Sequence, residues 1–139
     1  MIERSPTGCF SVFISVCIFC INEHGLILSV ARRGTTDQWG LVGGKVDPED
    51  ESFALAAVRE LEEETGLKVS PNDISLLFTR ECLGETDYVT HTFQLDSKHI
   101  PDNFEFKGDA GPVKWATKQD LLNGPFAIYN KSLFERLKL

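Results

Sequence analysis

Four glutamates crowd one short stretch of this chain: Glu60, Glu62, Glu63 and Glu64, followed by Thr65 and Gly66. In an α-helix each residue turns about 100° and rises about 1.5 Å, so Glu60, Glu63 and Glu64, at i, i+3 and i+4, share one face. Like charges at that spacing oppose the helix by roughly 0.2–0.5 kcal/mol per pair. A hard divalent cation held by the carboxylate oxygens, Mg2+ or Mn2+, accounts for a face that repels itself. The plain alternative is a solvated acidic face with no ligand. Arg59 lies four residues before Glu63 and can pair with it along the helix. Its plain alternative is a surface salt bridge of little worth.

The elements around these residues are those that would position them. Ser52 to Thr65 reads as one helix. Ser52 is a good N-cap, and Gly66 is placed as a left-handed C-terminal stop. Phe53, Ala54, Ala57, Val58 and Leu61 form an apolar stripe expected to pack on a sheet. Upstream, Trp39 to Val42 reads as a short strand leading into a turn at Gly43 and Gly44. Without side chains, these glycines let the backbone come close to a ligand.

From Gly44 to Leu67 the chain resembles the signature of the Nudix hydrolase family. That pattern is a Gly, five residues, Glu, seven residues, Arg-Glu, an aliphatic, any residue, Glu-Glu, any residue, Gly and an aliphatic. Here Glu51 is followed at the required spacing by Arg59-Glu60-Leu61, Glu63-Glu64 and Gly66-Leu67. One departure exists: six residues, not five, separate Gly44 from Glu51, the extra one falling in the loop Asp47-Pro48-Glu49-Asp50. Loops tolerate insertions better than helices do, but the insertion shifts Gly44 relative to the carboxylates. The motif spans 24 of the 139 residues. The resemblance implies that Glu60, Glu63 and Glu64, with a backbone carbonyl at Gly44, hold one or more divalent cations that bridge phosphate oxygens and polarise a water. It also implies that Glu51 orients Arg59 or a ligand by hydrogen bonds.

Further candidates lie outside the motif. Some Nudix enzymes carry another carboxylate in a loop shortly before a Trp-containing strand, as metal ligand or general base. Asp109, ahead of Trp115, resembles that residue, and Glu105 competes with it. Arg32 and Arg33 end the second strand, and their forked donors suit phosphate; a solvated strand end explains them equally. Phe10, Phe13, Phe78 and Tyr88 could line a base pocket, but aromatics at strand spacing are more often core. Trp39 is read as core and His91 as structural. Cys17 and Cys20 have a C-x-x-C spacing, yet in a strand a separation of three places them on opposite faces. They are read as small buried apolar residues, and a reducing cytoplasm is the expected location.

The chain fits a single domain over 1–139, with 42% apolar residues and a formal charge of −7. The acidic balance argues against duplex nucleic acid as a partner. No apolar run reaches the roughly 18 residues of a membrane helix. The apolar stretch from Cys9 to Ile21 is followed by a turn at Asn22-Glu23-His24-Gly25 and a second run from Leu26. This predicts a hairpin of two buried strands, Phe10 to Ile21 and Leu26 to Arg32. Ile74 to Glu81 and Tyr88 to Leu95 read as paired strands, Val113 to Ala116 as another, and Lys118 to Leu122 and Lys131 to Leu137 as helices. Mixed strands with flanking helices give an α/β fold; the resemblance implies an α/β/α sandwich with a mixed β-sheet.

The expected activity is Mg2+-dependent hydrolysis, with Mn2+ able to substitute, of a diphosphate linkage in a nucleoside diphosphate joined to another group. The short chain favours nucleoside triphosphates, oxidised ones included, giving a monophosphate and pyrophosphate. Dinucleoside polyphosphates, nucleotide sugars and ADP-ribose remain compatible, as does a homodimer. Two readings from other classes stand beside this one: a catalytically silent nucleotide-sensing module on the same fold, and an acidic interaction domain without metal.

Overall fold

The computed structural model describes residues 13–31, 34–82, 88–108 and 111–139. The elements run β1 (Phe13–Phe19), β2 (Ile27–Ala31), β3 (Trp39–Lys45), α1 (Phe53–Thr65), β4 (Ile74–Cys82), β5 (Tyr88–Leu95), β6 (Val113–Ala116), α2 (Lys118–Leu122) and α3 (Ala127–Leu137). The six strands form one sheet in the order β4-β5-β1-β3-β2-β6. Only β1 and β5 pair in parallel; the other ladders are antiparallel.

Helices cover both faces. On one side Ala56, Ala57 and Leu61 of α1 pack with Val16, Ile18, Cys20, Leu28 and Val42. On the other, Leu121 of α2 and Leu133 and Phe134 of α3 pack with Phe19, Ile27, Trp39 and Phe78. The result is the expected α/β/α sandwich on a mixed sheet. Burial of both faces explains why β1 is apolar but for Ser15 and does not alternate. Cys17 and Cys20 are both buried and free. Cys20 belongs to the α1-side core, while Cys17 faces Thr92 and Tyr129 on the α3 side.

Four expectations are corrected. The turn after β1 forms as read, with the Asn22 side chain accepting from the backbone N–H groups of His24 and Leu26. However, the hairpin pairs only next to the turn, through an Asn22 N–H to Leu26 carbonyl bond of 2.8 Å, the Ile21–Ile27 bridge and a Leu28 N–H to Cys20 carbonyl bond of 2.9 Å. Beyond it the strands part, because both hydrogen-bonding edges of β1 are taken by β3 and β5. β3 therefore lies between β1 and β2. Gly43 and Gly44 are not a turn. They continue β3, paired with Cys17 and Val16. Phe53 is 40% exposed and stacks on His91 with ring centroids 4.0 Å apart, so Ala56 takes its place in the buried stripe. Finally, α3 starts at Ala127, four residues before the expected Lys131.

Candidate active site

Helix α1 begins and ends as its sequence dictates. The Ser52 hydroxyl accepts from the Leu55 N–H at 3.0 Å, and Gly66 closes the last turn at φ 79°, a left-handed conformation that glycine adopts without penalty. The core stripe Ala57, Leu61 runs on into Glu64 at helical spacing. Glu64 is therefore buried, 8% exposed, while the side chains of Glu60 and Glu63 are 15% and 48% exposed. Three glutamates of equal rank in the sequence become three different groups.

Glu64 points at β3, where its Oε2 accepts from the Gly43 N–H at 3.2 Å. It also hydrogen-bonds Glu60. Burial, and then that bond and the Glu60 charge, push the Glu64 carboxyl up to about 9. Glu60 in turn lies over Gly44, where a β-carbon would come within 2.6 Å of its carboxylate. The glycine is what allows the acid to lie against the strand. Two carboxylates forced together beside open backbone fit a divalent cation, since such an ion takes oxygen donors and removes their repulsion. Among the described residues, no three acidic, histidine or cysteine side chains converge into a ready ligand cluster; Glu63 is turned toward Arg59.

Arg59 joins the acids to the preceding loop. Its Nη1 donates to Glu60 Oε1 at 3.1 Å and to Glu63 Oε2 at 3.0 Å. Its Nε and Nη2 form a fork on Asp50, at 2.9 and 2.8 Å. Nη2 also reaches the Lys45 carbonyl at 3.2 Å. The hydrogen bond from Arg59 holds the Asp50 carboxyl below its ordinary range, and the same bond raises the guanidinium. The sequence expectation gave the orienting role to Glu51, whose position the structure leaves exposed. The acid that forks onto Arg59 is Asp50, the residue directly before the motif glutamate.

Beside this centre opens a cavity of about 430 Å³ between the sheet and α3. Phe13, Leu41, Tyr88 and Phe126 give it apolar walls, and Ser15, Thr90 and Tyr129 give it hydroxyls. Gly43, Gly44 and Lys45 also line it. Lys45 is the charged residue among the described lining groups, and sequence reasoning passed over it; its position directly after the paired glycines was the available signal. Phe13 and Tyr88 reach the cavity, whereas Phe78 and Trp39 are core. His91 bonds Thr79 and stacks on Phe53, a structural placement.

A NUDIX domain model matches residues 12–137. The chain belongs to the Nudix hydrolase family. It is thus an enzyme acting on phosphoric anhydride bonds, on nucleotide-linked diphosphates, and members of this family generally use divalent metal ions. The chain is similar to a CTP pyrophosphohydrolase of Escherichia coli K12, 32% identical over 130 residues that cover 88% of this chain and 89% of the relative. The solution structure of the E. coli ORF135 protein shares the Nudix fold at a TM-score of 0.67 and 24% identity, with 96% of each chain covered. A MutT protein from Methanosarcina mazei Go1 shares it at 0.66 and 24%, covering 92% of this chain and 96% of its own.

Arg32, Arg33, Asp109 and Phe10 lie outside the described residues. Ala31, just before the two arginines, pairs with Trp39 at the far end of β3 from Gly43 and Gly44. Glu105 is exposed and faces Lys107 at 3.9 Å. Among the described residues no helix is long and apolar enough to cross a membrane.

Proposed function

We propose that this Nudix enzyme is a Mg2+-dependent nucleoside triphosphate pyrophosphohydrolase, with Mn2+ able to substitute, releasing a nucleoside monophosphate and pyrophosphate. The observation that carries the reading is that Gly43 and Gly44, against which Glu64 and Glu60 lie, also line the aromatic-walled cavity on the α3 side of the sheet. A base fills the cavity, and the phosphates then lie over the acids. The similarity to a CTP pyrophosphohydrolase supports a triphosphate as substrate.

Glu60, Glu63, Glu64 and the Gly44 carbonyl hold the cation, which supplies positive charge against the phosphates when bound. Lys45 adds a second positive charge at the cavity's edge. Arg59 fixes Glu60 and Glu63. Asp109 takes the proton from the attacking water. Its support is that Gly108, the residue before it, abuts α1: a β-carbon there would come within 1.8 Å of the Glu64 carbonyl. The Lys107 N–H donates to the Thr65 carbonyl at 2.9 Å, pinning this segment to the helix end.

The test is a phosphate-release screen with Mg2+ and with Mn2+, with pyrophosphatase added to reveal pyrophosphate. The panel holds canonical and oxidised nucleoside triphosphates, dinucleoside polyphosphates, nucleotide sugars and ADP-ribose. A triphosphate preferred over the rest, with phosphate appearing only through pyrophosphatase, is the expected result. Preference for another class moves the substrate assignment. Silence across the panel with metal still bound favours a nucleotide-sensing module.

A further inference from the structure

The one-residue insertion between Gly44 and Glu51 makes this chain's loop differ from the family pattern, and Asp50 lies in that loop. Asp50 folds back on its own loop: its N–H donates to the Asp47 carbonyl at 3.0 Å, and its Oδ2 accepts from the Asp47 N–H at 2.8 Å. These two bonds close a tight turn. It leaves both carboxylate oxygens of Asp50 facing the Arg59 fork, with the side chain only 8% exposed. Bidentate pairing of this kind fixes the plane of a guanidinium as well as its charge. The orientation of that plane decides where Nη1 lies, and Nη1 is the group that holds Glu60 and Glu63. Asp47 gives only a longer contact, 3.4 Å to Nη2. Without Asp50, Arg59 would keep Glu60, Glu63, the Lys45 carbonyl and the longer Asp47 contact, none of them a fork that fixes the guanidinium plane.

We infer that Asp50, and not the motif glutamate Glu51, is the positioning residue of this active site, setting Glu60 and Glu63 for the cation through Arg59. The inference rests on the Nudix hydrolase reading above and names the residue by which this chain carries it out. Asp50 touches neither substrate nor cation; it acts through Arg59.

Direct Mn2+ titration followed by electron paramagnetic resonance, joined to steady-state kinetics, tests it in D50N, D50E and E51Q. D50N keeps the shape of the side chain but sets an amide N–H against the Arg59 donors. It is expected to weaken Mn2+ binding by about 10–100-fold, the range for groups that orient metal ligands. Its kcat falls while KM for the nucleotide holds. D50E, which restores the carboxylate, recovers Mn2+ affinity, and E51Q moves neither quantity as far as D50N. A merely structural loop acid would lower thermal stability in D50N with Mn2+ affinity and kcat intact, and that result overturns the inference. So does an E51Q variant that loses as much as D50N. Failure of the wild-type enzyme to bind Mn2+ at all is a separate result, which sinks the metal-centre reading itself and this inference with it.

Discussion

At the scale of single residues, the acids are sorted by what surrounds them and not by their identity. Glu64 sits in the core stripe of α1 and is pushed up to about 9 by burial and by Glu60. It therefore carries a proton at pH 7 in the metal-free enzyme, and a cation must displace that proton to use the carboxylate. Cation affinity is expected to rise with pH up to about 9. Calorimetric titration of Mg2+ in buffers of different ionisation enthalpy should find about one proton released per ion near neutral pH. The absence of proton release would remove Glu64 from the ligand set. The same shift has a stability consequence. The folded value lies above the ordinary 4.5, so the stabilisation is complete below that pH and is lost as pH rises through about 9. In metal-free protein, E64Q should flatten that decline.

At the scale of elements, α1 and β3 form the site by touching at a glycine. A methyl group at Gly44 would collide with the Glu60 carboxylate, a charged group already held by Arg59. G44A is expected to fold but to lose most of its turnover, because Glu60 must swing away from the strand. S52A removes the N-cap at the other end of the same helix and should cost about 1 kcal/mol of stability with kcat little changed. Thermal denaturation and steady-state rates on the two variants separate the cases. A fully active G44A would show that Glu60 is free to work from another position. Much of this level is legible in sequence. Both caps of α1 lie where Ser52 and Gly66 announce them, since capping is a local matter of one side chain and one φ angle. The continuation of β3 through Gly43 and Gly44 is not legible, because it depends on a ladder to β1 that lies far away in the chain.

At the scale of the whole molecule, the cavity exists only because α3 lies across the sheet beside β1, β3 and β5. Residues from Phe13 to Asn130 meet there. F126A, on the cavity's outer wall, is expected to raise KM by about tenfold with kcat nearly unchanged, on the scale of one aromatic contact. A kcat loss in F126A without a KM change would place the base elsewhere. The sequence alone determined the glutamate-bearing helix, the family, the α/β/α class and the pairing of β4 with β5. Each follows from residue types at short spacing, where helix and strand geometry act directly on neighbours. Only the tertiary structure decided that β3 separates β1 from β2, that Glu64 is buried while Glu63 is not, that Asp50 forks onto Arg59, and that Lys45 borders the cavity. Those outcomes turn on which distant segments compete for one edge, one face or one guanidinium, and such competition is settled by packing across the fold.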